Sequence, residues 1–266
     1  MSETGLRDYG GRDDGVGPIV LLHGLMGRGR TWRRQISWLR NYGRVFTLDA
    51  AWHTGSDGVP ADPTLIPPTD IATERFVADV AEVLTWIDQG PAVLIGHSMG
   101  GLHAWCTAAR YPEMVSAVIV EDMAPDFRGQ TTKTWTPWFD SWPDRFESLA
   151  HAQAMFGDIA GQYFYEAFDD GRLHGTLPVW AAIAEEWGQR DFWVQWRAVS
   201  APTLLIEAEF SVTPTGQMRN MLAANENARY IRATGAGHLV HDDAPDFYRG
   251  AVEAFLSGLT LRRYVP

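Results

Sequence analysis

In Gly96-His97-Ser98-Met99-Gly100 a serine stands midway between two glycines, each two positions away. Residues 92–95 before it are apolar, with β-branched Val93 and Ile95, as a strand covered on both faces requires. Residues 99–105 after it are good helix formers with an apolar stripe. A strand that passes so directly into a helix turns too sharply for side chains at the flanking positions. The serine at the apex is held in strained backbone geometry, with its hydroxyl presented to a pocket. The chemistry this suggests is nucleophilic attack. A hydroxyl is essentially un-ionised near neutral pH, so it needs a base within hydrogen-bond reach and a carboxylate to orient that base. His238 is the favoured base, because it follows Gly235-Ala236-Gly237 in a loop free to lean over the sheet's carboxyl edge. His241, three residues on, competes for the role, whereas His97 and His103 are expected to pack. The small residues in His23-Gly24-Leu25-Met26-Gly27 let the backbone come close to a ligand, so N–H groups there are candidates for an oxyanion hole.

These residues need a frame that brings distant positions to one edge. Short strands are expected near residues 6–9 and at 19–22, 45–48, 92–95, 117–120, 203–206 and 228–231, and helices at 31–42, 69–88, 99–110, 217–224 and 245–256. Strands alternating with helices in this way predict an α/β fold with a mostly parallel, doubly wound sheet. The alternation is lost over residues 126–200, which carry Trp135, Trp138, Trp142, Trp180, Trp187, Trp193 and Trp196, seven of the twelve tryptophans. That segment reads as an inserted helical cap, with residues 1–125 and 201–266 forming the core domain. Aromatic residues concentrated there favour an uncharged acyl or aromatic substrate over a sugar or phosphate.

Composition narrows the function classes. A chain of 266 residues is long enough for one large domain with an insertion. The net charge of −11 argues against nucleic acid or an anionic membrane as partner. A single cysteine, Cys106, excludes an internal disulfide and a cysteine-cluster metal site. No apolar run is long enough for a membrane span, and the first seventeen residues have no apolar signal region. The expectation is a cytoplasmic monomer or homodimer that uses no cofactor and no metal.

Taken together, His23-Gly24, the elbow, and Gly237-His238 with Pro245 and Phe247 behind it resemble the α/β-hydrolase fold superfamily. The likeness runs from about residue 6 to residue 256. Within it, His23 to Gly27, Asp49…His53…Ser56 and Val120-Glu121-Asp122-Met123-Ala124-Pro125 are most similar to the small esterase and thioesterase branch of YbfF-type and ABHD11-like enzymes. The resemblance implies oxyanion donors at the backbone N–H groups of Leu25 and Met99. It also exposes a departure. Most members carry the triad carboxylate after the strand at 203–206, where this chain has Glu207-Ala208-Glu209-Phe210-Ser211, with Ser211 in the aspartate's place. Some members place the acid one strand earlier, which makes Asp122 the favoured acid here and keeps the order Ser98, Asp122, His238. Neighbouring Glu121 points to the opposite face if the strand continues, so only one of the two serves. Glu209 and then Glu207 follow as alternatives. The expected reaction is hydrolysis of carboxylic esters or thioesters through an acyl-enzyme on Ser98. The same groups also serve carbon–carbon bond cleavage of diketones, lactone opening or perhydrolysis. A binding protein that has lost catalysis on this scaffold is the third reading.

Overall fold

The computed structural model describes residues 5–55, 60, 62–130 and 135–263; Ser56 lies outside them. The strands are β1 (Gly5–Gly11), β2 (Ile19–Leu22), β3 (Arg44–Asp49), β4 (Ala92–His97), β5 (Val115–Glu121), β6 (Thr203–Phe210) and β7 (Ala228–Gly237). They form one sheet in the order β1-β3-β2-β4-β5-β6-β7. Only β1 runs antiparallel to its neighbour. This is the mostly parallel α/β sheet that the alternation predicted, in the α/β-hydrolase architecture that the motif resemblance implied.

Every residue of β2 and β4 is buried, because helices cover both faces of the sheet. Alternate residues divide between the two sides. Val20, Leu22, Leu94, Val118 and Val120 pack with Phe76, Val80 and Leu102, while Ile19, Leu21, Val93, Ile95 and Ile119 pack with Trp32, Ile36, Tyr248 and Val252. Each such side chain contributes about 1.5–3 kcal/mol on full burial. The parallel register pairs Leu22 with Gly96, His97 with Glu121, and Glu121 with Ile206. The residues that follow these strands therefore emerge at a single edge.

The helices of the sheet layers are α1 (Arg33–Leu39), α2 (Pro68–Ile71), α3 (Thr73–Ile87) and α4 (Met99–Arg110), and, after β6, α10 (Gln217–Ala224), α11 (Val240–Asp243) and α12 (Pro245–Arg263). The single helix expected over 69–88 is broken at Ala72, whose backbone is extended (φ −72°, ψ 146°). Glu186 captures both the N–H and the hydroxyl of Thr73, at 3.2 and 2.8 Å, so a tertiary contact starts α3 there. Strands β6 and β7 also outrun their expected ends, reaching Phe210 and Gly237, which pair with one another. Glu207 and Glu209 are therefore strand residues, not loop residues.

Between β5 and β6 lie α5 (Thr136–Asp140), α6 (Leu149–Phe156), α7 (Asp158–Ala167), α8 (Leu177–Gly188) and α9 (Trp193–Ala198). Their aromatic rings mostly pack on each other: Trp142 lies within 6 Å of Trp138, Phe146, Phe156, Phe164 and Phe168. Trp180, Trp187 and Trp196 are buried as well. Polar links tie the segment to the sheet, among them Arg28–Asp169 at 2.8 Å and Trp180 Nε1 donating to the Trp52 carbonyl at 3.0 Å. Among the described residues, no helix is long and apolar enough to cross a membrane.

Candidate active site

Strand β4 delivers Ser98 to the start of α4 with φ 52° and ψ −123°, a region that non-glycine residues seldom occupy. The glycine requirement on either side has a direct steric cause. A Cβ on Gly96 would lie 2.2 Å from the Gly100 carbonyl oxygen, and one on Gly100 would lie 2.2 Å from that of Leu22 and 2.7 Å from that of His23. The Ser98 N–H donates to the Glu121 carbonyl at 2.8 Å, tying the turn to β5. Because the obstacles are backbone atoms, Gly100→Ala is expected to destabilise the protein by about 3 kcal/mol or more, read as a lower urea midpoint.

His238 follows β7 directly, with Nδ1 2.7 Å from Asp122 Oδ2. Asp122 is fully buried and takes a left-handed backbone (φ 47°) as β5 ends. Its Oδ1 accepts the Ala208 N–H at 3.0 Å, and its own N–H donates to the Ile206 carbonyl at 2.8 Å. Burial works against the charged carboxylate. The bond and charge of His238, the Ala208 N–H and the Ser211 hydroxyl outweigh it, and hold Asp122 below the usual carboxylate range. Ser211 thus supports the Asp122 carboxylate.

The alternative acids are engaged elsewhere. Glu209 accepts the Gly235 N–H at 2.7 Å, and Glu207 accepts the Tyr230 hydroxyl. Glu121 faces away from Asp122, as strand alternation predicts, and meets His241. His103 stacks on Phe76 with ring centroids 4.7 Å apart, and burial lowers its pKa to about 3, so it packs as expected. Burial also pushes the Cys106 thiol up, leaving it unreactive.

His97 does more than pack. Its Nε2–H donates to the His238 carbonyl at 3.1 Å, and the two rings lie 4.6 Å apart, which pins the backbone of His238 beside the elbow. Among the described residues no hydrogen bond joins the Ser98 hydroxyl to His238. Ser98–His238 contacts of this kind often tighten only when substrate is bound.

Leu25 follows Gly24 and Met99 follows Ser98, on the two segments that meet at the elbow. Met99 opens α4, so its N–H has no acceptor within the helix. A Cβ on Gly24 would lie 3.2 Å from Ser98 Cβ and 2.6 Å from His97 Nδ1, so the Gly24-Leu25 backbone lies against the elbow. His23 and His53, quoted in the sequence motifs without a role of their own, hold this turn. His53 Nε2 accepts the Met26 N–H at 3.2 Å, and His23 donates from Nδ1 to the Gly24 carbonyl at 2.7 Å while accepting the Ala50 N–H at 2.9 Å. From α7, buried Tyr163 brings its hydroxyl against Gly27 and its ring to 6.1 Å from His97. No periodicity marks it out from the other aromatics of its segment.

The sequence model of the alpha/beta hydrolase family matches residues 19–251. The chain belongs to the α/β-hydrolase family. It is 27% identical to esterase YbfF of Escherichia coli over 90% of this chain and 93% of that protein. It is 33% identical to the sn-1-specific diacylglycerol lipase ABHD11 of Danio rerio over 47% of this chain and 37% of that protein. Both similarities support the branch to which the motifs pointed. The crystal structure of E-2-(acetamidomethylene)succinate hydrolase superposes with a TM-score of 0.79 at 19% identity, over 95% of this chain and 94% of that one. Membership carries hydrolysis as the general class of activity for this chain.

Proposed function

We propose that this α/β hydrolase is a serine hydrolase that cleaves carboxylic esters or thioesters bearing an apolar acyl or aromatic group. The observation that carries the reading is the 2.7 Å bond from buried Asp122 to His238 Nδ1 at the strand edge that also carries Ser98. With Nδ1–H given to the carboxylate, Nε2 carries the lone pair that takes the Ser98 proton as Oγ attacks the substrate carbonyl. The tetrahedral oxyanion is received by the Leu25 and Met99 N–H groups, which gain strength only as charge develops. His238 then returns the proton to the departing alkoxide or thiolate, leaving an acyl group on Ser98. A water deprotonated by the same imidazole attacks that ester, releasing the carboxylic acid and restoring the serine. Residues 126–200 serve as the cap over this centre, and Tyr163 is the cap residue that meets the elbow loop. An overall charge of −11 disfavours polyanionic substrates and suits a neutral ester.

Intact-mass measurement after treatment with a fluorophosphonate tests the reading. One adduct on the wild-type protein is expected, mapping to Ser98 and missing in Ser98→Ala. Aryl esters of increasing acyl length should then be turned over with a rising kcat/KM. Absence of the adduct on folded wild-type protein would overturn the proposal.

A further inference from the structure

Strand β5 ends in two adjacent carboxylates, Glu121 and Asp122, and β7 leads into two histidines three positions apart, His238 and His241. Alternation along β5 sends the carboxylates apart, and each meets one imidazole. The Asp122–His238 pair belongs to the reading above. The other pair takes no part in it. Glu121 Oε1 and Oε2 lie 2.8 and 2.9 Å from His241 Nδ1, and Oε1 also accepts the His241 backbone N–H at 3.0 Å. Glu121 is 0% and His241 1% exposed. We propose that Glu121 and His241 form a second carboxylate–imidazole pair that positions the segment 238–241, and through it the imidazole of His238 over Ser98. The proposal rests on His238 being the general base.

The surroundings leave His241 little freedom. Trp32 stacks on its ring at 4.6 Å, and His97, Tyr248 and Tyr163 meet it at 5.4, 6.0 and 6.1 Å. Gln35 donates to its carbonyl at 2.8 Å. Charged neighbours are Glu121, Asp242 with its oxygen 3.8 Å from Nε2, and Arg34, which pairs with Asp242 at 2.6 Å. A buried carboxylate needs a compensating charge. Burial pulls the His241 pKa down, but Glu121 and then Asp242 outweigh it and hold it above the ordinary imidazole value.

Only Leu239 and Val240 separate the two histidines. With the His238 carbonyl held by His97 and residue 241 held by Glu121 and Gln35, this short stretch is fixed at both ends. The end of β7 that leads into it is held as well, with the Gly235 N–H on Glu209 at 2.7 Å and the Gly237 N–H on Asp243 at 2.8 Å. A displacement of the base by about 1 Å is enough to cost on the order of 10²-fold in rate. Glu121–His241 is thus a positioning pair and touches no substrate.

The test compares wild type, Glu121→Gln, and the double variant Glu121→Leu with His241→Phe. An apolar pair replacing a buried ionic one commonly restores stability, whereas removing one partner alone does not. The expected result is a 10- to 100-fold lower kcat in both variants, with KM within about threefold of wild type, although the double variant regains a wild-type melting temperature. Wild-type kcat in a stably folded double variant would overturn the proposal, because the pair would then be structural only. Proton NMR supplies a readout independent of turnover: the His238 Nδ1–H resonance, shifted downfield by Asp122, should broaden or move in Glu121→Gln. An unchanged resonance overturns the proposal as well. If wild-type protein takes no fluorophosphonate, the hydrolase reading fails, and the resonance alone then decides whether Glu121 positions His238.

Discussion

Asp122→Asn is expected to lower kcat by about 10⁴-fold while leaving KM close to that of wild type. The carboxylate accepts hydrogen bonds from His238 Nδ1–H and from the Ala208 N–H, and the Ser211 hydroxyl supports it as a third donor. An asparagine has one oxygen and one donating nitrogen. If its oxygen stays with Ala208, its amide hydrogens face Nδ1, which must then be unprotonated. The proton moves to Nε2, the atom that has to accept the Ser98 proton, and the base is in the wrong tautomer before substrate arrives. The opposite orientation leaves the Ala208 N–H facing a donor, a buried conflict that costs stability. Ser211→Ala removes only one neutral donor from the same carboxylate, so a change of a few-fold is expected. Steady-state kinetics at saturating ester on both variants separates these roles. Asp122→Asn activity within tenfold of wild type would remove Asp122 from the triad. Stability should follow a related pattern. Because the folded-state pKa of Asp122 is lowered, its contribution is present above about pH 3.8 and is lost as pH falls through the folded value.

The elbow was legible because its constraint is steric and local: Gly96 and Gly100 are needed where backbone meets backbone, and that requirement shows as a fixed spacing. The sheet was legible for a related reason, since continuous apolar runs are what strands covered on both faces require. The acid was harder to place. Glu121 and Asp122 differ only in the face they take, and the left-handed turn at Asp122 that aims its carboxylate at His238 has no signature in a run of acidic residues. Glu207 and Glu209 stayed in contention because their local sequence reads as a loop; pairing with β7 puts them in a strand and engages their carboxylates with Tyr230 and Gly235. The break at Ala72 depends on Glu186, more than a hundred residues away. His23 and His53 hold the turn at Gly24 to Met26 through backbone groups, which leave no pattern in the sequence. In the tryptophan-rich segment Trp180, Trp187 and Trp196 are spent on internal packing, while Tyr163 brings its hydroxyl against Gly27 and its ring to 6.1 Å from His97.

Acid is expected to unfold this protein well above the pH at which carboxylates titrate. His53, His97, His103 and His174 are buried, and in each burial comes first in driving the pKa below 6.5, in His103 to about 3. Neighbouring histidines push the same way: His23 beside His53, and His238 and His241 beside His97. In the unfolded chain each titrates near 6.5, so below that pH the unfolded state binds protons that the folded state refuses. Stability then falls as pH drops below about 6.5, and each of the four histidines adds to the loss. His241 acts in the opposite sense. Its folded-state pKa is raised, so its contribution is complete below about 6.5 and is lost as pH rises through the folded value. The two effects place maximal stability near neutrality, with a steep acid limb. Urea midpoints at pH 7.5, 6.5 and 5.5 measure that limb directly, and His103→Phe, which keeps the stack on Phe76 but cannot titrate, should recover about a quarter of the loss. An unchanged midpoint across this range would mean that the four imidazoles accept protons within the fold. The same limb bears on activity, because protonation of the buried histidines unfolds the protein that holds the site, and activity lost at pH 5.5 should return at pH 7.5 only as fast as the chain refolds.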